Sequence, residues 1–325
     1  MHQTTLGSLP AENGRTQIAA IPKKRIVMRL MHGVGNQLFQ YALGRRLSID
    51  RGAKLFLDAA WYNRATSRWA DRPLALREFN IAGEITFDDR WKSKWLPPTF
   101  QDKVRWWIEQ RFFPLAWRRF VEEDRRNFKL RGQAFDPKIL RVARNAYFHG
   151  FWTSPRYFEG IEETLREELV LKDVATGRMA EYLAIIRNSE AVSVHVRRGD
   201  FLKYSEFGIL RLDYYRRAFQ IIRSKIREPR FFVFSDDIRE AQKLLHEMPD
   251  CEYVALGPGT TPACDLWLMA ACKHFVNANS TFSWWGAWLS VQPNKIVIVP
   301  DKWLVGANRE VRDIYLPEWI KIPVR

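Results

Sequence analysis

The chain has 325 residues, 46% hydrophobic and 14% aromatic, with 14 Trp and 21 Phe. That apolar mass fills two cores of ordinary domain size and excludes a disordered protein. Lys and Arg number 52 against 37 Asp and Glu, a formal charge of +15, which suits polyanions or anionic lipid as partners. Cys251, Cys264 and Cys272 show no CxxC spacing; neither a disulfide framework nor a zinc site is supported, and a reducing compartment is the simpler inference.

In chain order, residues 1–22 read as a flexible polar tail. Arg25–Leu30 is predicted as a strand, followed by Gly33-Val34-Gly35-Asn36-Gln37 and a helix near Gln37–Arg51, in which Leu38, Tyr41, Ala42 and Leu47 recur at helical spacing. Strand, glycine turn and helix start together aim backbone N–H groups at an anion. Gly35 and Asn36 are the candidates there, and capping the helix is the plainer role for Asn36. Lys54–Leu57 is a second strand. Between Lys103 and Arg131, arginines interleave with Trp106, Trp107, Phe112, Phe113, Trp117 and Phe120, broken at Pro114. Two readings stand: an interfacial membrane segment, or a helical pair packing its aromatics into the core. Tyr147–Trp152 reads as a strand, Ile161–Leu169 and Ala175–Asn188 as helices.

The apolar run Ala191–Val194 leads into His195-Val196-Arg197-Arg198-Gly199-Asp200. Alternation puts His195 and Arg197 on one side of the strand. A guanidinium is a fixed fork of donors suited to phosphate oxygens, and Asp200 or the later Glu206 could take a proton. An ion pair at a strand end is the plainer alternative. Phe231–Phe234 ends in Ser235-Asp236-Asp237, before a helix Ile238–Glu247 and a strand Glu252–Leu256. The aspartate pair alone lacks the ligand set of a divalent-metal site. Helix Cys264–Cys272 carries Asp265 in its first turn, either as charge for the helix dipole or as an acceptor for a base's N–H edge. Strand His274–Val276 leads to Ala278-Asn279-Ser280-Thr281-Phe282-Ser283-Trp284-Trp285-Gly286-Ala287-Trp288-Leu289, where Ser280 or Thr281 caps a helix and the tryptophans are core. Lys295–Val299 is the last predicted strand. Apolar runs separated by helices argue for parallel sheets covered on both faces. Ligands then bind beyond the carboxyl ends of the strands, where every polar motif named above lies.

Taken together, GxGNQLFQYA, HxRRxD, Phe234-Ser235-Asp236-Asp237 and ANSTFSWWGAWL resemble glycosyltransferase family 11, the α-1,2-fucosyltransferases that use GDP-L-fucose. The resemblance covers about Ile26 to Pro300 and is looser between Asp88 and Arg144. It departs at Met31-His32-Gly33-Val34-Gly35, where the family has a richer run of glycines ending in leucine. Membership implies a GT-B-like α/β fold of two Rossmann-type lobes with the active site in the cleft. The expected division is an acceptor-side lobe 23–188 with a Trp/Arg-rich insertion at about 88–145, a donor-side lobe 189–300, and a C-terminal tail 301–325.

The activity implied is inverting, metal-independent and cofactor-independent transfer of L-fucose from GDP-β-L-fucose to the 2-OH of a terminal β-galactoside in a cell-surface glycan such as an O-antigen, presented as a free oligosaccharide or a lipid-linked glycan. Arg197 is expected at the β-phosphate, with Asp200 or Glu206 as base. The donor contacts expected are Gly35, Asn36, His195, Arg198, Ser235, Asp236, Asp265, Ser280 and Thr281, with Asp265 reading guanine as in related GDP-fucose enzymes. The alternatives are another linkage such as α-1,6, or a polyanion binder without catalysis, although no recognisable RNA-binding motif is present. Eukaryotic relatives carry an N-terminal membrane helix, whereas residues 1–20 contain no apolar block of that length. The expectation is a cytoplasmic protein, with peripheral contact at an anionic inner membrane as the extension.

Overall fold

The computed structural model describes residues 24–63, 72–87, 101, 104, 107–108, 111–114, 119–123, 134–142, 145–173, 175–199, 208–304, 311 and 313–324. Its strands are β1 (Arg25–Arg29), β2 (Lys54–Asp58), β3 (Glu84–Thr86), β4 (Phe120–Glu122), β5 (Ala146–His149), β6 (Glu190–Val196), β7 (Pro229–Ser235), β8 (Cys251–Tyr253), β9 (His274–Val276), β10 (Val297–Pro300) and β11 (Ile320–Ile322). The helices are α1 (Val34–Arg51), α2 (Glu162–Glu168), α3 (Gly177–Arg187), α4 (Leu212–Lys225), α5 (Ile238–Leu244), α6 (Pro262–Ala271) and α7 (Thr281–Leu289).

The strands form two parallel sheets, ordered β3-β2-β1-β5-β4 and β11-β10-β9-β6-β7-β8. Both reverse direction of growth beside their first strand. The first sheet has its switch between β1 and β5, the second between β6 and β9. In open α/β sheets the crevice at such a point, outside the carboxyl ends, is where ligands bind. The central strands are buried on both faces, as helix-covered sheets require: Val192, Ser193, Phe232 and Val233 are all buried.

One aromatic core joins the lobes. Phe39 of α1 meets Trp284 and Trp285 of α7 at ring centroids 4.8 and 5.0 Å apart, and Phe158 stacks on Trp285 at 5.4 Å. The tryptophans of α7 are therefore core, as expected: Trp284, Trp285 and Trp288 are buried. At its far end α1 stops at Gly52, whose φ of 55° lies in the left-handed region glycine adopts without strain.

Several expectations are corrected. Residues 301–325 are not only a tail: β11 pairs with β10, and Ile314, Trp319 and Ile322 are buried. The α3 helix, assigned to the first lobe, packs against α6 and β6. Phe120 of the Trp/Arg run lies in β4, buried and stacked on Tyr147 at 5.7 Å. Its neighbours differ: Val104, Trp107, Ile108, Phe112 and Phe113 are exposed, Phe112 by 69%, so for them the core reading does not hold. Trp106 and Trp117 lie outside the described residues. No helix among the described residues is long and apolar enough to cross a membrane.

Candidate active site

At the second switch point, β6 delivers His195 into the interior, 2% exposed, with its carbonyl accepting from the Tyr215 hydroxyl at 3.0 Å. Burial, with Arg197 adding to it, lowers the imidazole pKa to about 3, so the ring is neutral. Its Nδ1 has no hydrogen-bond partner among the described residues. A buried polar atom in that state is costly and marks a place where a ligand atom would be satisfied.

Past the strand the chain turns at Arg197-Arg198-Gly199. The Arg197 guanidinium pairs with Asp236 at 3.1 Å, both groups largely buried, and the Arg198 N–H donates to the other Asp236 oxygen at 2.9 Å. A side chain on Gly199 would start 2.5 Å from Asp236, which is why that position is glycine. Asp236 thus holds the arginine loop in place from β7. The ion pair anticipated as the plain reading exists, and among the described residues Asp236 is a partner in it. Asp200 and Glu206 lie outside the described residues.

The neighbouring acids and hydroxyls shape turns. Ser235 Oγ accepts the Asp237 N–H at 3.0 Å, and the Asp237 carboxylate caps α5 by accepting from the Glu240 N–H at 3.0 Å. Asp237 therefore faces its own helix. Among the described residues no three His, Cys, Asp or Glu side chains converge. Asp265 sits in the first turn of α6, where desolvation raises its pKa to about 6.

Across the β6–β9 crevice stands the N-terminus of α7. Ser280 is its cap, accepting the Phe282 N–H at 3.3 Å, and Phe282 lies on the His195 ring with centroids 5.5 Å apart. Thr281 donates to Asn36 Oδ1 at 3.1 Å, bridging the lobes. Asn36 is not the α1 cap. Gly33 is, with its carbonyl accepting the N–H groups of Asn36 and Gln37 at 3.0 and 3.1 Å. A Cβ on Gly35 would lie 2.5 Å from the Thr281 carbonyl carbon and 2.6 Å from the Phe282 nitrogen. The glycine thus lets two helix N-termini touch, a role its GxG spacing did not disclose.

Gln37 and Gln40 are supporting positions that spacing alone missed as well. Gln37 Nε2 donates to the carbonyls of His32 and Pro73 at 2.8 and 2.9 Å, and its Oε1 accepts the Leu76 N–H at 2.9 Å. Gln40 accepts the Met31 N–H and donates to the Gly150 carbonyl, both at 3.0 Å. The two amides, both fully buried, lock three loops at the carboxyl edge of the first sheet. Two glutamines about one turn apart in the first turns of α1, on an otherwise apolar face, were the available signal.

Asn36, Thr281, Phe282, His195, Arg197 and Asp236 therefore form one run of contacts from α1 to β7. Two helix N-termini and the Arg197 guanidinium converge on it, an arrangement suited to an anionic ligand.

Comparison with known proteins agrees. The model of Glycosyl transferase family 11 matches residues 91–323. The chain is 32% identical over 307 residues to an alpha-1,2-colitosyltransferase of Escherichia coli, covering 91% of this chain and 98% of that one. It is 27% identical over 188 residues to a galactoside alpha-(1,2)-fucosyltransferase of Rattus norvegicus, covering 53% and 50%. A structure of Arabidopsis thaliana FUT1 in complex with GDP superposes at a TM-score of 0.50, with 10% identity and coverage of 87% of this chain and 72% of that one. The fold is thus the two-lobed, GT-B-like α/β arrangement expected.

Proposed function

The chain belongs to glycosyl transferase family 11, and on that footing we propose that it moves L-fucose from GDP-β-L-fucose to the 2-OH of a terminal β-galactoside. The observation that carries the reading is the run of contacts from Asn36 through Thr281, Phe282 and His195 to Arg197. It surrounds the second switch point with donors for a diphosphate and draws both lobes into one crevice.

In the proposed reaction the acceptor hydroxyl attacks the anomeric carbon from the face opposite the diphosphate. The bond from that carbon to the β-phosphate oxygen breaks, and GDP departs with the electron pair. The hydroxyl proton passes to a carboxylate, for which Asp200 and Glu206 are the candidates. Arg197, held by Asp236, meets the β-phosphate, while Arg198, the α7 N-terminus and the amide of Asn36 stand near it. Neutral His195 offers its buried Nδ1 to a donor oxygen. Asp265 accepts from the guanine edge. Fixed cationic groups of this kind neutralise a leaving diphosphate without metal.

A second reading differs only in donor. The colitosyltransferase relative transfers, by its name, a sugar that lacks one hydroxyl of fucose, so GDP-colitose with the same α-1,2 geometry is the competitor. Purified protein is incubated with each donor and a panel of β-galactosides, with and without EDTA, and the product linkage is read by NMR. An α-1,2-fucosyl product formed at the same rate with EDTA is expected. An α-1,6 product, transfer from GDP-colitose alone, or a rate abolished by chelation and restored by Mn²⁺ would each overturn the corresponding part.

A cytoplasmic location with peripheral contact at an anionic membrane completes the proposal. It is supported by the exposed Trp107, Ile108, Phe112 and Phe113 beside exposed Arg111, a combination suited to the headgroup layer.

A further inference from the structure

The first sheet has a switch point of its own, and its rim is aromatic. His32 follows β1, Phe151 follows β5, and Trp61 follows β2. The His32 ring stacks on Trp61 at 5.2 Å and 23°, and meets Phe151 edge-on at 5.1 Å and 68°. All three side chains are partly exposed. We propose that His32, Trp61 and Phe151 form the platform on which the terminal β-galactose of the acceptor lies. This inference rests on the galactoside reading above and adds where, and by which side chains, the acceptor is held.

Three observations support it. The first is position: His32 adjoins Gly33, the cap of α1, and Asn36 in the first turn of that helix bonds Thr281 at the donor crevice. A sugar on the platform lies beside the place where the diphosphate is proposed to bind.

The second is backbone conformation. His32 has φ of 65°, a left-handed conformation that glycine enters freely and other residues rarely adopt. An imidazole kept in that conformation retains local strain at the rim rather than relieving it.

The third is rigidity. The His32 carbonyl accepts from Gln37 at 2.8 Å and from the Tyr62 hydroxyl at 2.7 Å. The Phe151 N–H donates to Glu123 at 2.6 Å, and the Ala60 N–H beside Trp61 donates to Asp58 at 2.9 Å. The backbones of His32 and Phe151 are thus held directly, and that of Trp61 at the residue before it.

The chemistry selects the ligand class. Burial, with a contribution from Arg72, lowers the His32 pKa to about 4, so the imidazole is neutral and stands with two aromatic rings, the Arg72 charge nearby. Such a surface suits an uncharged ligand with one apolar face and one polar edge. β-Galactose has that shape: the C–H bonds at carbons three, four and five share one face, and the hydroxyls point outward. Stacking that face leaves the 2-OH at the edge, free to be directed toward the donor.

Binding of methyl β-D-galactoside is measured by saturation-transfer NMR in the presence of saturating GDP, for wild type, His32→Gly and Trp61→Ala. GDP affinity is titrated on the same samples. His32→Gly removes the ring and relaxes the backbone, so its fold is retained. Transfer should be strongest to the ring protons of the stacked face. Each variant should weaken the galactoside about tenfold while GDP affinity is unchanged. Wild-type affinity in both variants, a parallel loss of GDP affinity, or no galactoside binding by wild type would overturn the platform. A platform that binds galactoside while GDP-fucose supports no transfer would instead overturn the donor assignment, so the two failures are distinct.

Discussion

The carboxyl edges of the two sheets differ more than their backbones do. Each sheet is parallel, switches direction beside its first strand and sends a loop from that strand into the cleft. At the second sheet the loop carries Arg197 and Arg198, anchored on Asp236, opposite the start of α7. At the first it carries His32 among Trp61 and Phe151. Topology sets where a ligand goes; the side chains at the edge set which ligand. A charged edge and an aromatic edge, brought together at Gly35, are what the proposed reaction between a nucleotide sugar and an uncharged glycan calls for.

The change that should erase the distinction altogether is Gly35→Ala. The added methyl has backbone on its far side, 2.5 Å from Thr281, so the two helices must part. Overpacking of this kind costs about 1–3 kcal/mol or more. A lower melting temperature is expected together with loss of both GDP and acceptor binding. Unchanged melting and turnover would mean that the helix contact is not what joins the edges.

Arg197→Lys acts on one edge only. A lysine ammonium is a point charge and does not reproduce the guanidinium fork. Turnover should fall about 10²–10³-fold, with the melting temperature close to wild type. Near-normal kcat with normal GDP affinity would remove Arg197 from the leaving-group role.

The acid at α6 gives a smaller, pH-dependent effect. The Asp265 pKa is raised to about 6, above its value of about 3.9 in an unfolded chain. The folded state therefore binds more protons between those values, and stability from this group is lost as pH rises through that window. A guanine donor favours the charged carboxylate, so GDP affinity should weaken as pH falls below about 6. Asp265→Asn should flatten that dependence and raise the melting temperature at neutral pH. A GDP titration identical above and below the window would place Asp265 outside the base pocket.

The least perturbing change to the fold falls on exposed aromatics. Trp107→Ser with Phe112→Ser alters exposed positions, where substitutions usually stay within about 0.5 kcal/mol each. Melting and turnover on a soluble galactoside should be preserved, while co-sedimentation with anionic liposomes at physiological salt falls. Equal pelleting of variant and wild type, or none for either, would sink the membrane proposal.

Much of the framework was legible from sequence for plain reasons. The strands β1, β2, β6, β7 and β9 are apolar runs ending in polar motifs, and that pattern marks buried parallel strands. Ser280 as a cap and the tryptophans of α7 as core followed from local chemistry. Helix α4 was missed although Tyr214, Tyr215, Ala218, Phe219 and Ile222 bury one face of it. β11 was missed because Ile320–Ile322 is too short to read without its partner β10. The roles of Gly35, Gln37 and Gln40 depend on contacts with Thr281, Pro73 and Gly150, which no local window contains. Asn36 looked like a cap because Gly33, three residues earlier, has no side chain to announce itself.

The most direct measurement is calorimetric titration of GDP into wild type, Arg197→Ala and Trp61→Ala under identical conditions. If the charged edge holds the nucleotide and the aromatic edge does not, Arg197→Ala should weaken GDP by about tenfold or more and Trp61→Ala should match wild type. GDP affinity unchanged in Arg197→Ala, or lost equally in Trp61→Ala, would contradict the division of labour between the two sheets.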